Sequence, residues 1–226
     1  MTSSAIDVNA RGDRLAGCLL KRNGNYLMPE DTNARPRLVI GMSGSSAPQL
    51  AITALQQLRK LGTVETHFVM SDGARRTLKL EAGMTAAELN ALADVSYSPR
   101  DLGAAISSGS FPVVGMAVIP CSMRTLGAIA SGNTQDLLTR AADVTLKERR
   151  PLVLVTRESP LNLIHIRNME TVTLAGATVF PPVVGFYHQP RSVDDILLQI
   201  VGRVLDQFRI PNDLFTRWQG VPRAGR

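Results

Sequence analysis

The hydrophobic pattern starts at Arg37, where Leu38, Val39 and Ile40 form an unbroken apolar run that gives way to Gly41-Met-Ser-Gly-Ser-Ser46. A short apolar run bounded by glycine predicts a strand buried on both faces. Pro48 suits the first turn of a helix, and Ala51, Leu55 and Leu58 recur behind it at helical spacing. The same alternation continues down the chain. It predicts strands over 37–41, 64–70, 113–119 and 152–156, with a short one at 177–180, and helices over 48–61, 72–80, 85–92, 124–131, 135–148, 161–175 and 192–209. Residues 1–36 carry no period and read as a flexible N-terminal extension; 37–220 form the domain and 221–226 a C-terminal tail.

Alternating strands and helices imply right-handed βαβ units. The expected fold class is α/β: a three-layer Rossmann-like (flavodoxin-like) parallel sheet with helices on both faces. Ligands of such sheets sit beyond the carboxyl ends of the strands. There the chain places residues 43–46, Ser71-Asp-Gly, Pro120-Cys-Ser-Met-Arg-Thr125 and Thr156-Arg-Glu-Ser-Pro160. Strand, small-residue turn and helix N-terminus form an anion site, because free N–H groups and the helix dipole converge. Neither a Walker loop nor Gly-x-Gly-x-x-Gly is present, so the first turn taken alone fits a phosphate site or a plain tight turn. Ser71, Ser122 and Ser159 taken singly read as helix N-caps. Their recurrence at strand ends argues for one shared site.

The last helix has an apolar stripe through Val193, Ile196, Leu197, Ile200, Val204, Leu205 and Phe208, with Ser192, Asp194 and Asp195 at its start. Arg203 falls near that stripe, and a pocket-facing arginine needs an anion. Leu214-Phe-Thr-Arg-Trp218 reads as an apolar tail, folded back or reaching a neighbouring subunit.

The net charge of +6 raises nucleic acid as a partner, but only 4% of the 226 residues are aromatic and the basic residues are scattered, except in Lys147-Glu-Arg-Arg150. A pocket for phosphorylated small molecules fits better, and nucleic acid is not expected. No run approaches the ~18 apolar residues of a membrane span. Cys18 and Cys121 make no disulfide framework and nothing resembles a signal peptide, so the cytoplasm is expected. His67, His165 and His188 are far apart without metal-ligand spacing, so no metal is expected; His67, inside a strand, reads as a core histidine. Arg157 suits bidentate contact with phosphate, and Glu158 beside it can move protons. Lys147 ends a helix, as a solvated cation or a ligand contact. Tyr187, in the proline-bounded loop 181–190, offers a hydroxyl or a packing ring.

These stretches together resemble the UbiX-type flavin prenyltransferases over about residues 37–220. The resemblance rests on Gly41-Met-Ser-Gly-Ser-Ser46, Glu65-Thr-His-Phe-Val-Met-Ser71, Ala105-Ile-Ser-Ser-Gly-Ser-Phe111, Pro120-Cys-Ser-Met-Arg-Thr-Leu126, Leu137-Leu-Thr-Arg-Ala-Ala-Asp-Val144, Leu146-Lys-Glu-Arg-Arg-Pro-Leu-Val-Leu154, Arg157-Glu-Ser-Pro-Leu161, Phe186-Tyr-His and Gly202-Arg-Val. It implies transfer of a dimethylallyl group from dimethylallyl phosphate to reduced FMN, without a metal. The prenylated FMN would serve a UbiD-type decarboxylase. Gly44, Ser45, Ser46, Ser71, Ser122, Met123, Arg124, Thr125 and Arg157 would hold FMN. Lys147, Tyr187 and Arg203 would bind the phosphate of the donor, with Arg140, Ser108, Gly109 and Ser110 near it. Glu158 would assist proton transfer as phosphate departs, and Ser46 with Glu81 would manage protons near the flavin; Lys147 would support catalysis. The resemblance also implies a homo-oligomer, commonly a dodecamer, with sites at subunit interfaces. The family's glycine turn runs Gly-Ala-Ser-Gly, whereas here Ser45 replaces the alanine and Ala47 the last glycine.

Two other readings stay open. One is a flavin-dependent decarboxylase of cysteine-terminal peptides or pantothenoyl-cysteine, which needs a catalytic histidine early in the chain. The other is a non-catalytic accessory subunit that carries FMN or prenylated FMN to a decarboxylase.

Overall fold

Strands that are apolar at every position need cover on both faces, and the layers supply it. The computed structural model describes residues 35–220; the N-terminal extension, but for Arg35 and Pro36, and the tail 221–226 lie outside the described residues. The elements run β1 (Arg37–Met42), α1 (Gln49–Leu61), β2 (Glu65–Met70), α2 (Asp72–Ala82), α3 (Ala86–Asn90), β3 (Val95–Tyr97), β4 (Gly115–Cys121), α4 (Met123–Ala130), α5 (Leu137–Lys147), β5 (Leu152–Thr156), α6 (Leu163–Leu174), β6 (Thr178–Val179) and α7 (Val193–Asp206). All strand pairs are parallel, in the order β3-β2-β1-β4-β5-β6.

Successive side chains of each strand alternate between two cores. Leu38, Ile40, Met42, Phe68, Met70, Ala117, Ile119, Val153 and Val155 meet α1, α2, α3 and α7 on one face. Val39, Val69, Met116, Val118, Leu152 and Leu154 meet α4, α5 and α6 on the other. Each buried Leu, Ile or Val in these cores contributes about 1.5–3 kcal/mol relative to exposure.

Helix ends follow local chemistry. Gly62, at φ 64°, closes α1 with its N–H on the Leu58 carbonyl. Asp136 with Thr139, and Ser192 with Asp195, form capping boxes on α5 and α7. Ser71 and Ser122 cap α2 and α4 as expected. Ser159 does not cap α6. It precedes Pro160, which disfavours helical backbone before it, so the start moves on to Asn162, whose side chain accepts from His165 N–H at 2.9 Å.

Two further differences have physical causes. β3 is three residues long, too short to show a period, and exists through pairing with β2. β4 continues past Pro120 to Cys121 because its register against β5 shifts between Val118 and Cys121, which relieves the missing proline N–H. Among the described residues, no helix is long and apolar enough to cross a membrane.

Candidate active site

β1 pairs with β2 on one side and β4 on the other, and the order in which strands are added reverses there; this is where an open α/β sheet leaves a crevice. The turn after β1 is tied to every neighbour. Ser43, fully buried, donates through Oγ to the Pro120 carbonyl at 3.0 Å and accepts Ser122 N–H at 2.7 Å. Gly44 lies against α2 so closely that a Cβ would sit 2.9 Å from the Gly73 carbonyl carbon. Ser45 Oγ donates to the Arg157 carbonyl at 2.9 Å. Ser46 Oγ donates to Glu81 Oε2 at 2.9 Å. The N-termini of α1, α2 and α4 thus open on one mouth, with Ser71, Ser122, Met123, Arg124, Thr125, Arg157 and Glu158 around it. Thr125 is buried and takes the Ser122 hydroxyl at 3.1 Å. Arg124, Arg157 and Glu158 are exposed, and Glu158 Oε1 accepts Ser159 N–H at 3.0 Å.

The expected phosphate-binding residues form two other clusters. Arg140, in the first turns of α5, donates through Nε to the Ser107 carbonyl at 3.2 Å and pairs with Asp143 at 2.8 Å. Lys147 ends that helix, about 15 Å from its start, and pairs with Glu148, whose carboxyl is held below the usual range chiefly by that hydrogen bond. Between them runs the loop with Ser108, Gly109 and Ser110, fastened by Arg150 to the Gly109 and Phe111 carbonyls at 2.7 and 2.9 Å. A Cβ on Gly109 would collide with the Lys147 and Glu148 side chains.

The third cluster lies on α7. Tyr187 Oη accepts Gln199 Nε2–H at 3.1 Å, and Arg203 follows Gln199 by one turn. Arg203 lies away from the apolar stripe, not near it as its spacing predicts. The stripe centres on Val201, Val204 and Leu205, and Arg203 lies roughly 200° round the helix from Val201. It faces solvent with Nε 3.7 Å from Asp206. The 214–218 segment folds back: Phe215 covers Gly202, and Arg217 grips Asp206 at 2.8 and 2.9 Å.

The structure therefore brings the residues expected at the flavin to one mouth and distributes those expected at the phosphate over two other clusters. α5 packs on one face of the sheet and α7 on the other, so Lys147 and Arg140 come from the face opposite Tyr187 and Arg203. Neither of two open clefts, about 410 Å³ beside His188 and about 790 Å³ beside Lys147, lies at the strand mouth.

The flavoprotein family model matches residues 27–205. The flavin prenyltransferase UbiX of Escherichia coli (strain K12) is 54% identical over 187 residues, covering 82% of this chain and 99% of that protein. This chain belongs to the UbiX flavin prenyltransferase family. Solved structures of the family superpose closely. AnUbiX (PadA1), in complex with FMN and dimethylallyl pyrophosphate, aligns at TM-score 0.81 and 50% identity over 83% of this chain and 99% of its own. A dodecameric FMN-dependent UbiX-like decarboxylase from Escherichia coli O157:H7 aligns at 0.78 and 49% identity over 82% of this chain and 100% of its own.

Several features around these clusters are not legible in the sequence. Ser43 was seen only as part of a small-residue turn, although it bridges β1 to β4. Thr156 Oγ1 is buried at the mouth with no hydrogen-bond partner among the described residues; a lone hydroxyl closing an apolar strand was the available sign. Gln199 and Arg150 act through contacts distant in sequence. The core reading of His67 holds. It is 3% exposed, bonded to Glu65 at 2.9 Å and Tyr97 at 2.8 Å, with its pKa lowered by burial against the raising effect of Glu65.

Proposed function

We propose that this chain is a flavin prenyltransferase that transfers a dimethylallyl group from dimethylallyl phosphate to reduced FMN, yielding prenylated FMN and phosphate. The observation that carries the reading is the strand mouth, where a hydroxyl–carboxylate pair, Ser46 and Glu81, adjoins an anion-ready turn. The residues present fit a flavin nucleotide. Among the described residues Thr156 offers a buried hydroxyl without a partner and no side chain caps α1, and the Gly44 backbone approaches α2 without a Cβ between. Gly44, Ser45, Ser46, Ser71, Ser122, Met123, Arg124, Thr125 and Arg157 would hold it. AnUbiX binds FMN and dimethylallyl pyrophosphate together, in support of both ligands. Reduced FMN supplies the nucleophile that is alkylated.

The protein's own part is electrostatic. As the allylic C–O bond breaks, negative charge collects on the departing phosphate, and Lys147, Arg140, Arg203 and the Tyr187 hydroxyl stabilise it. Glu158 holds or takes a proton at the phosphate oxygen, and Ser46 with Glu81 holds one beside the flavin. Apolar walls keep water from the allylic fragment. α5 and α7 lie on opposite faces of the sheet, and on this reading the set is completed between copies of the chain. A homo-oligomer follows, and the dodecamer of the Escherichia coli O157:H7 relative supports that size. We assign the product to a UbiD-type decarboxylase and the reaction to the cytoplasm, where charged nucleotide and allylic phosphate are retained.

The test is anaerobic incubation with reduced FMN and dimethylallyl monophosphate, then mass spectrometry of the extracted flavin. The expected product is heavier by one prenyl unit and is lost in Glu158→Gln and Lys147→Ala. Flavin that stays bound but unmodified in the wild type would overturn the reading and leave a carrier of flavin.

A further inference from the structure

Tyr187 is 44% exposed, yet its hydroxyl is not left to solvent. Gln199, only 6% exposed on α7, donates Nε2–H to Tyr187 Oη at 3.1 Å. Gly185 makes room for the arrangement, since a Cβ there would lie 3.1 Å from the tyrosine ring and 3.5 Å from Gln199 Nε2. The folded-back segment closes the frame. Trp218 packs edge-on against Tyr187 at 6.2 Å between ring centres, and Arg217 beside it is anchored on Asp206.

We infer that Gln199 is a positioning residue that makes Tyr187 a hydrogen-bond donor to the phosphate of the allylic substrate. This rests on the reading that Tyr187 and Arg203 bind that phosphate. A phenol carries one proton and accepts through its lone pairs. The Gln199 amide occupies a lone pair, so the phenolic proton is directed elsewhere, towards the exposed side of the ring. Arg203 follows Gln199 by one helical turn on the same helix. A donor behind the oxygen also polarises the O–H, as linked hydrogen bonds do in a partly dry site. Without Gln199 the hydroxyl could satisfy itself in several directions, and the anion would first have to reorient it.

The experiment is a double-mutant cycle on the assembled protein, following prenyl transfer at varied dimethylallyl monophosphate. Gln199→Met keeps the length and removes the donor; the expected result is a rise of about tenfold in KM for the allylic phosphate, with FMN affinity unchanged. In a Tyr187→Phe background the same change adds less than about twofold, because its effect passes through the hydroxyl. Should the methionine variant fail to assemble, Gln199→Glu replaces it. Its carboxylate accepts the phenolic proton, so the expected loss is larger and again vanishes with Tyr187→Phe. An equal loss in both backgrounds, or none in either, overturns the inference while the transferase reading stands. If the wild type transfers no prenyl group, that reading falls instead. The inference is then decided by titrating dimethylallyl monophosphate into flavin-free protein and following Trp218, the single tryptophan. The Gln199→Met penalty on binding must then appear only when Tyr187 is present, and its appearance in both backgrounds overturns the inference.

Discussion

Glu81 and Ala47 are joined through the backbone: Glu81 Oε2 accepts the Ala47 N–H at 3.0 Å while also taking the Ser46 hydroxyl at 2.9 Å. Ala47 stands at φ 70°, in the left-handed region, where the glycine turn of the resembled family closes with glycine. That backbone costs an L-residue about 1–2 kcal/mol. A carboxylate on α2 therefore secures a strained turn between β1 and α1, and with it the Ser46 hydroxyl.

Ala47→Gly relieves this strain and adds some unfolded-state freedom. The expected net is a gain of about 0.5–1 kcal/mol, read as a higher thermal midpoint with FMN affinity retained. A lower midpoint would show that the methyl group is needed for packing.

Glu81→Gln keeps an amide oxygen for the Ser46 and Ala47 donors but cannot exchange a proton. Flavin retention, followed by absorbance, should survive while prenyl transfer drops on the order of a hundredfold. Glu81→Ala also frees the turn, and both properties should fall.

Lys147→Ala and Ser46→Ala should each be inactive alone yet complement each other when co-assembled. Their positions belong to different clusters, and if the proposed site is shared between copies a mixed oligomer contains sites built from two intact halves. Random mixing should restore activity at about a quarter of the sites. Mixtures as inactive as the parents would place both residues in one copy's site.

Much of this was legible in the chain, and particular residues show why. Leu38, Val39 and Ile40, with Leu152, Val153, Leu154 and Val155, are buried on both faces, so composition alone marks them as central strands. Ser71 and Ser122 announce helix starts because capping is a contact over three residues. What stayed hidden depends on distance in sequence. Ser45 meets Arg157 across 112 residues, and Gln199 meets Tyr187 only because the 181–190 loop returns to α7. Arg203 misled because a three-residue spacing from Ile200 is compatible with either edge of the stripe; packing against α1 decided which side faced inwards.

Acid should release the folded-back segment. The Arg217 hydrogen bond, opposed by burial, holds the Asp206 carboxyl below its ordinary 3.8. A depressed carboxylate contributes stability fully above the unfolded value and loses it as pH falls through the lowered folded value. Trp218 emission should accordingly be level from neutral pH to about 4.5 and change below about 3.8. Asp206→Asn should show the released signal already at neutral pH; an unchanged spectrum there would mean that Arg217 does not hold Trp218 against Tyr187.

The two outer strands, β3 with three residues and β6 with two, leave the sheet almost no free backbone to extend. If copies of the chain gather to complete the proposed site, the sheet thus denies them the commonest open-ended route, strand added to strand. Helices and loops are then the surfaces left for copies to meet through, and there side chains dictate the angle of approach. Growth that is specified by side chains can close on itself, and here closure and catalysis would be satisfied by the same contacts.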